Sequence, residues 1–227
     1  PSERPRFLWV HYIDPHAPYQ ADPDALSWVR PMELVEPTHS LQPHGGVVGE
    51  RFTAVHDVRG GMLWLTQADR RLLGERYDAA VAYVDAEVGR LVEGVRAGGK
   101  STVVAVTSDH GEELWEHGDV EHGHTLYDEL LRVPFVIRGG GVPAGRFDAP
   151  VSLLDLAPTL YALLGVEAPE GLDGVSLLPL LRGEIGAAEA LSARPQAFGH
   201  LLYGPDGGGV LSEGKKWISR AGGERAY

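Results

Sequence analysis

Five consecutive residues, Ser108-Asp109-His110-Gly111-Glu112, set a carboxylate and an imidazole side by side. They follow the apolar run Thr102-Val103-Val104-Ala105-Val106-Thr107, which has strand length and composition, so the pair sits where a buried strand runs out. Ligands of open α/β sheets bind at the carboxyl ends of strands, and Asp with His is a ready pair of metal ligands. Four of the ten histidines fall between His110 and His124, among Glu112, Glu113, Glu116, Asp119 and Glu121. An isolated Asp-His pair reads more readily as a helix cap beside a packed or solvated imidazole. A solvated charge run, however, has no need of four histidines, and the density points to a metal-dependent hydrolase site.

Adjacent residues of a regular strand point to opposite faces. Asp109 and His110 reach one ion only if the strand has ended, as Gly111 suggests. A rival arrangement is the inverted zinc-protease helix H-x-x-E-H. His117 and Glu121-His122 give H-x-x-x-E-H instead, and the extra residue turns His117 by about 100° off the ligand face at 3.6 residues per turn. Gly118 and Gly123 weaken such a helix further. His16, in a Pro-rich turn, reads alone as a surface loop histidine, and His11 as structural. His39, His44 and His56 carry no assignment, and His200 belongs to the tail.

The elements that must position these groups are legible in part. Phe7 to Ile13 is a candidate strand, closed by the breaker cluster Asp14-Pro15-His16-Ala17-Pro18-Tyr19. From about Gln20 to Gly61 no period is sustained, which reads as an irregular excursion or lid. Thr66 and Asp69 open a helix as a capping box, and apolar residues then recur at three and four until about Arg96, where Gly98-Gly99 ends it. Strands follow at Thr102 to Thr107 and Val133 to Ile137. This alternation predicts a largely parallel sheet covered by helices. Asp155 is expected to cap a further helix, with Pro158 in its first turn and Gly165 past its end. Beyond about Gly183 the chain turns Ala- and Gly-rich, with strand-like pieces such as Lys216-Trp217-Ile218-Ser219.

Composition bounds the chemistry. The 227 residues, 43% of them hydrophobic, suffice for one large domain or one and a half. A formal net charge of −12 with only 20 scattered Lys and Arg weighs against nucleic acid as a partner. An anionic small substrate is compatible with that field only where a cation offsets it. No cysteine is present, which excludes disulfides and a cysteine nucleophile within these residues. Apolar runs are strand-sized, short of the roughly 20 residues that cross a bilayer. Localisation and oligomeric state are not legible.

Several stretches agree with one family. His11-Tyr12-Ile13-Asp14-Pro15-His16-Ala17-Pro18-Tyr19, Thr107-Ser108-Asp109-His110-Gly111-Glu112, His124-Thr125-Leu126-Tyr127-Asp128-Glu129-Leu130-Leu131-Arg132-Val133-Pro134, Ser152 to Leu160 and Asp173 to Leu181 together resemble the sulfatase family of the alkaline-phosphatase superfamily. The resemblance implies an α/β/α sandwich with a mostly parallel central sheet over residues 1–185 and a partial small C-terminal subdomain over 186–227. It implies Asp109 and His110 as ligands of a divalent cation, Ca²⁺ first, with Mn²⁺ or Zn²⁺ as alternatives because an imidazole is among the ligands. His16 matches a histidine that contacts the sulfuryl or phosphoryl oxygens of the substrate. His122, thirteen residues after Asp109, falls where sulfatases carry Lys and the related phosphoethanolamine transferases a zinc-binding His. Counting back from Leu126-Tyr127 favours His124 for that place, so both are candidates for the leaving-group acid.

The departure from the family lies upstream. Its nucleophile motif, C/S-x-P-x-R, and two further Asp ligands are not found in these residues, and the chain looks like the C-terminal two-thirds of an enzyme, catalytically incomplete by itself. The formylglycine of matured sulfatases is expected only in the N-terminal segment that this sequence does not contain. The expected activity of the whole is hydrolysis of a small anionic ester, a sulfated sugar, aryl or lipid. A phosphodiester or phosphonate hydrolase or phosphoethanolamine-type transferase is the alternative within the superfamily, and a non-catalytic module binding anionic glycans the alternative outside it.

Overall fold

A computed structural model of the chain describes residues 6–17, 19, 66–99, 101–184, 186–200, 207–220 and 223–226. The irregular excursion expected between Gln20 and Gly61 therefore lies outside the described residues. The chain divides into two units, one of Pro1–Gly94 with Leu114–Glu121 and one of Val95–Glu113 with His122–Tyr227.

In the first unit the dominant element is helix α1, Gln67–Ala97. Its start is the capping box read from sequence. The Thr66 backbone N–H and hydroxyl donate to Asp69 Oδ2 at 2.8 and 2.7 Å, and the Asp69 N–H returns a bond to Thr66 Oγ1 at 3.2 Å. Asp69 is buried, and these bonds supply the partners a buried carboxylate demands. Leu72 and Leu73 pack with Ala17 and Tyr19, joined by Tyr77, Leu114 and Trp115. Tyr19 meets Tyr77 edge-on with ring centroids 5.6 Å apart, the favoured arrangement of two aromatic quadrupoles. The strand expected over Phe7 to Ile13 is not formed, since residues 6–13 enter no ladder. Phe7 and Trp9 are 81% and 77% exposed. Strand composition alone does not make a strand, because the backbone groups need a neighbour to bond with, and among the described residues these have none in a ladder.

The second unit carries β1, Val104–Thr107, and β4, Phe135–Arg138. They pair antiparallel, from Val104 opposite Arg138 to Thr107 opposite Phe135. For these two strands the parallel pairing expected from the alternation is corrected. A parallel pair needs a helical crossover, and the only helix between them, α2 at Asp128–Leu131, is a single turn. The rest of the connection goes into the loop after β1 and a small hairpin of β2, Glu113–Leu114, with β3, Val120–Glu121.

Beyond β4 a 3₁₀ turn at Leu153–Asp155 leads into α3, Leu156–Leu164, which ends at Gly165 in the left-handed region, φ 65°. Asp155 does not cap α3 with its side chain, a correction to the sequence reading. Its carboxylate instead accepts from the Ser152 and Val175 N–H groups at 2.8 and 2.9 Å and from both terminal nitrogens of Arg194 at 2.9 and 2.5 Å. The Thr159 hydroxyl donates to the Asp155 carbonyl and accepts from the Leu177 N–H. One buried acid thus ties three stretches of chain together. Short helices α4, Leu178–Leu181, and α5, Ala187–Ser192, supply Leu180, Leu181 and Leu191 to a core with Leu177, lined by Phe135 and Ile137 of β4.

The last element is a four-stranded antiparallel meander of β5 (Gln196–His200), β6 (Gly207–Ser212), β7 (Lys215–Arg220) and β8 (Gly223–Ala226). Ile218 of β7 is buried with Leu126 and Tyr127, against Phe198. Gly209 has a steric reason to be glycine, because a Cβ there would lie 2.4 Å from the Phe198 ring.

Candidate functional site

The Asp-His pair leaves the end of β1 as the sequence suggests. The Thr107 hydroxyl donates to the Pro134 carbonyl at 2.8 Å, which fastens the last residue of β1 beside the start of β4. The Ser108 hydroxyl then donates to the His110 carbonyl at 2.7 Å, and the His110 N–H donates to Asp109 Oδ1 at 3.1 Å. Gly111 fixes the exit of the loop. Its N–H donates to the Leu130 carbonyl of α2 at 2.8 Å, and a Cβ there would fall 1.9 Å from the Glu129 carbonyl oxygen. Only glycine lets the two backbones come so close. β1 has already ended at Thr107, and Gly111 marks a point of close contact in the loop beyond it.

Asp109 Oδ1 and His110 Nε2 lie 3.8 Å apart. Two atoms bound to one ion at about 2.3 Å each are at most about 4.6 Å from one another, so this pair is spaced for a shared divalent cation. The Asp109 side chain is exposed and open to such an ion. His110 Nδ1 donates to the Gly111 carbonyl at 2.8 Å. A carbonyl can only accept, so the proton is on Nδ1 and the lone pair on Nε2, the tautomer that ligates and the second contact metal-binding histidines ordinarily keep. The donor set therefore fits a metal.

His122 and His124 have different surroundings. The His122 ring stacks on His110 with centroids 3.9 Å apart and planes 27° from parallel. Its Nδ1 is 3.0 Å from Glu112 Oε1, and its side chain is 16% exposed. His124 is bound through the other nitrogen, Nε2, to Glu113 Oε2 at 2.9 Å, with side chains 5% and 0% exposed. His122 thus lies against His110, and His124 is enclosed with a hydrogen bond to the buried Glu113. His16 belongs to the first unit, where it is half-buried and its Nδ1 is 2.6 Å from the Ala17 carbonyl oxygen. The zinc-protease helix does not exist here. Residues 117–122 form a turn and a short strand, with Gly118 at φ 96° and Glu121 at φ 72°.

Sequence reasoning passed over the individual roles of Glu112 and Glu113. They bind histidines ten and eleven residues ahead, across the β2–β3 hairpin. The signal was a pair of adjacent acids answered by two histidines beyond a turn.

The family profile Sulfatase matches residues 1–166. The chain belongs to the sulfatase family. Choline-sulfatase of Rhizobium meliloti (strain 1021) is 31% identical over 193 residues, covering 80% of this chain and 36% of the relative. Among solved structures, that of BT4656 in complex with its substrate D-glucosamine-2-N,6-O-disulfate superposes with a TM-score of 0.60 at 25% identity, covering 78% of this chain and 38% of the other. Phosphonate monoester hydrolase from Silicibacter pomeroyi superposes at 0.62 and 25% identity, over 72% and 36%. The sulfatase chain described here spans less than half the length of these relatives. Its fold class is the α/β architecture of the alkaline-phosphatase superfamily.

Proposed function

We propose that the polypeptide carrying this sulfatase chain hydrolyses sulfate esters with the aid of a divalent cation. The observation that carries the reading is the 3.8 Å approach of Asp109 Oδ1 to His110 Nε2 at the end of β1, within a segment matched by the sulfatase family. Asp109 and His110 would hold the ion, with Ca²⁺ the first choice. When bound, the ion supplies positive charge where the ester's non-bridging oxygens gather negative charge.

The residues of this chain have separate tasks. The bonds made by the Ser108 hydroxyl and by the His110 and Gly111 N–H groups order the loop that carries Asp109 and His110, which favours binding because less ordering remains to be done. His122 is assigned to the leaving group. As an imidazolium it keeps Nδ1–H on Glu112 and delivers the proton from Nε2 to the departing alkoxide, for which an imidazole is suited near neutral pH. His124 serves the fold. His16 is assigned to a non-bridging oxygen by the family resemblance. No residue of the C/S-x-P-x-R type is present here, and the nucleophile is assigned to a segment beyond these residues.

The test is an assay of the parent polypeptide on paired esters of one leaving group, a sulfate and a phosphonate monoester, after EDTA treatment and after return of Ca²⁺, Mn²⁺ or Zn²⁺. The reading requires sulfate turnover that EDTA abolishes and a cation restores. Preference for the phosphonate would favour the phosphoester alternative, which the likeness to the phosphonate monoester hydrolase keeps in view. Glycan binding without turnover would favour the non-catalytic module.

A further inference from the structure

We infer that Glu112 is a positioning residue of the site, selecting which nitrogen of His122 faces the reaction. The inference rests on the leaving-group role proposed for His122. Two adjacent carboxylates each hold one histidine, yet they hold them by opposite nitrogens: Glu112 takes Nδ1 of His122 at 3.0 Å, and Glu113 takes Nε2 of His124 at 2.9 Å. Both carboxylates are buried. A carboxylate accepts and does not donate, so each pairing assigns the proton: His122 carries it on Nδ1 and His124 on Nε2. Free imidazole has no such compulsion, and a ring that is not held can flip or change tautomer.

The stack against His110 adds a second constraint. With ring centroids at 3.9 Å, the plane of His122 is set by the face of the neighbouring imidazole, and its rotation within that plane by Glu112. Together they define the position of Nε2. In the proton transfer the N–H bond at Nε2 breaks, the electron pair stays on the ring, and the proton forms an O–H bond with the departing oxygen. The imidazole left behind is the Nδ1–H form, the one Glu112 already stabilises. A buried acid orienting an imidazole so that the correct nitrogen meets the substrate is the same physical device as the orienting member of a catalytic triad.

Long-range ¹⁵N–¹H NMR of the histidine rings in the 227-residue chain tests this without any substrate, and so separately from the ester preference. In the wild type near pH 8, His122 should show the Nδ1–H pattern and His124 the Nε2–H pattern. In Glu112→Ala, His122 should move to the Nε2–H form or a mixture while His124 stays unchanged, which also reports that the fold survives. An Nε2–H pattern for His122 in the wild type, or an unchanged His122 in Glu112→Ala, overturns the inference. In the active parent polypeptide, Glu112→Ala should lower kcat roughly 10- to 100-fold, with KM within about twofold, and should cost nothing further in a His122→Ala background. Additive losses in the double variant would mean that Glu112 acts by another route.

Discussion

At the scale of single residues, two histidines two positions apart have opposite fates, and substitutions should tell them apart. His122→Ala in the parent polypeptide should lower kcat by about 10²-fold or more for esters with poor leaving groups and much less for good ones. A series of aryl esters of graded leaving-group pKa measures this, and a loss independent of leaving group would remove His122 from the acid role. His124→Ala should act on stability instead. It removes the imidazole hydrogen-bonded to the fully buried Glu113, and a hydrogen bond to a charged group contributes about 1.5–3 kcal/mol. Denaturant melting of the 227-residue chain reads that difference, and a change below about 1 kcal/mol would contradict the structural role. The residue types of this site were legible because acids and imidazoles are rarely crowded for nothing. Their pairing was not, since neighbours across a hairpin are set by the turn. Counting from either end left His122 and His124 as rivals, and what distinguishes them is the stack of His122 on His110 and the opposite ring nitrogens by which the two are held.

At the scale of elements, the loop that carries Asp109 and His110 between β1 and α2 lies against α2 because Gly111 permits it. Gly111→Ala should push the loop off the Glu129 carbonyl and weaken Ca²⁺ binding at least about tenfold, since displaced supporting contacts typically cost 10- to 100-fold in metal affinity. Isothermal titration with Ca²⁺ measures it, and unaltered affinity would show that the loop can relax without cost. Helix α1 was legible from end to end, because the Thr66–Asp69 box and the apolar spacing are local signals. Strands were legible as composition but not as partners. Thr102 to Thr107 and Val133 to Ile137 were read as neighbours in an alternating pattern, yet their direction follows from a connection with only one turn of helix. Phe7 to Ile13 has the content of a strand and no ladder. Asp155 looked like a helix cap since acids favour that place. Its actual partners, Val175 and Arg194, lie 20 and 39 residues away, and no local pattern announces them.

At the scale of the whole molecule, acid stability should depend on Asp155. Burial alone would raise its pKa, but the bonds from Arg194, Ser152 and Val175 outweigh burial and hold it below the ordinary value. A carboxyl whose folded pKa is depressed stabilises the fold above its unfolded value of about 3.9 and loses that contribution as pH falls through the folded value. Asp155→Asn should therefore be less stable than the wild type by about 3 kcal/mol at pH 7, with the gap closing below about pH 4. Urea melts across pH 3 to 7 measure this, and a gap independent of pH would refute it. The meander β5–β8 bears on the site in another way. Lys216 of β7 binds Asp128, the first residue of α2, at 2.7 Å, and Ile218 shares a core with Leu126 and Tyr127 just before it. Since α2 is also what Gly111 rests on, the tail braces the element against which the Asp109–His110 loop lies. A protease that trimmed those final strands would slacken α2, and with it the Gly111 contact behind Asp109 and His110, while leaving both of those side chains intact.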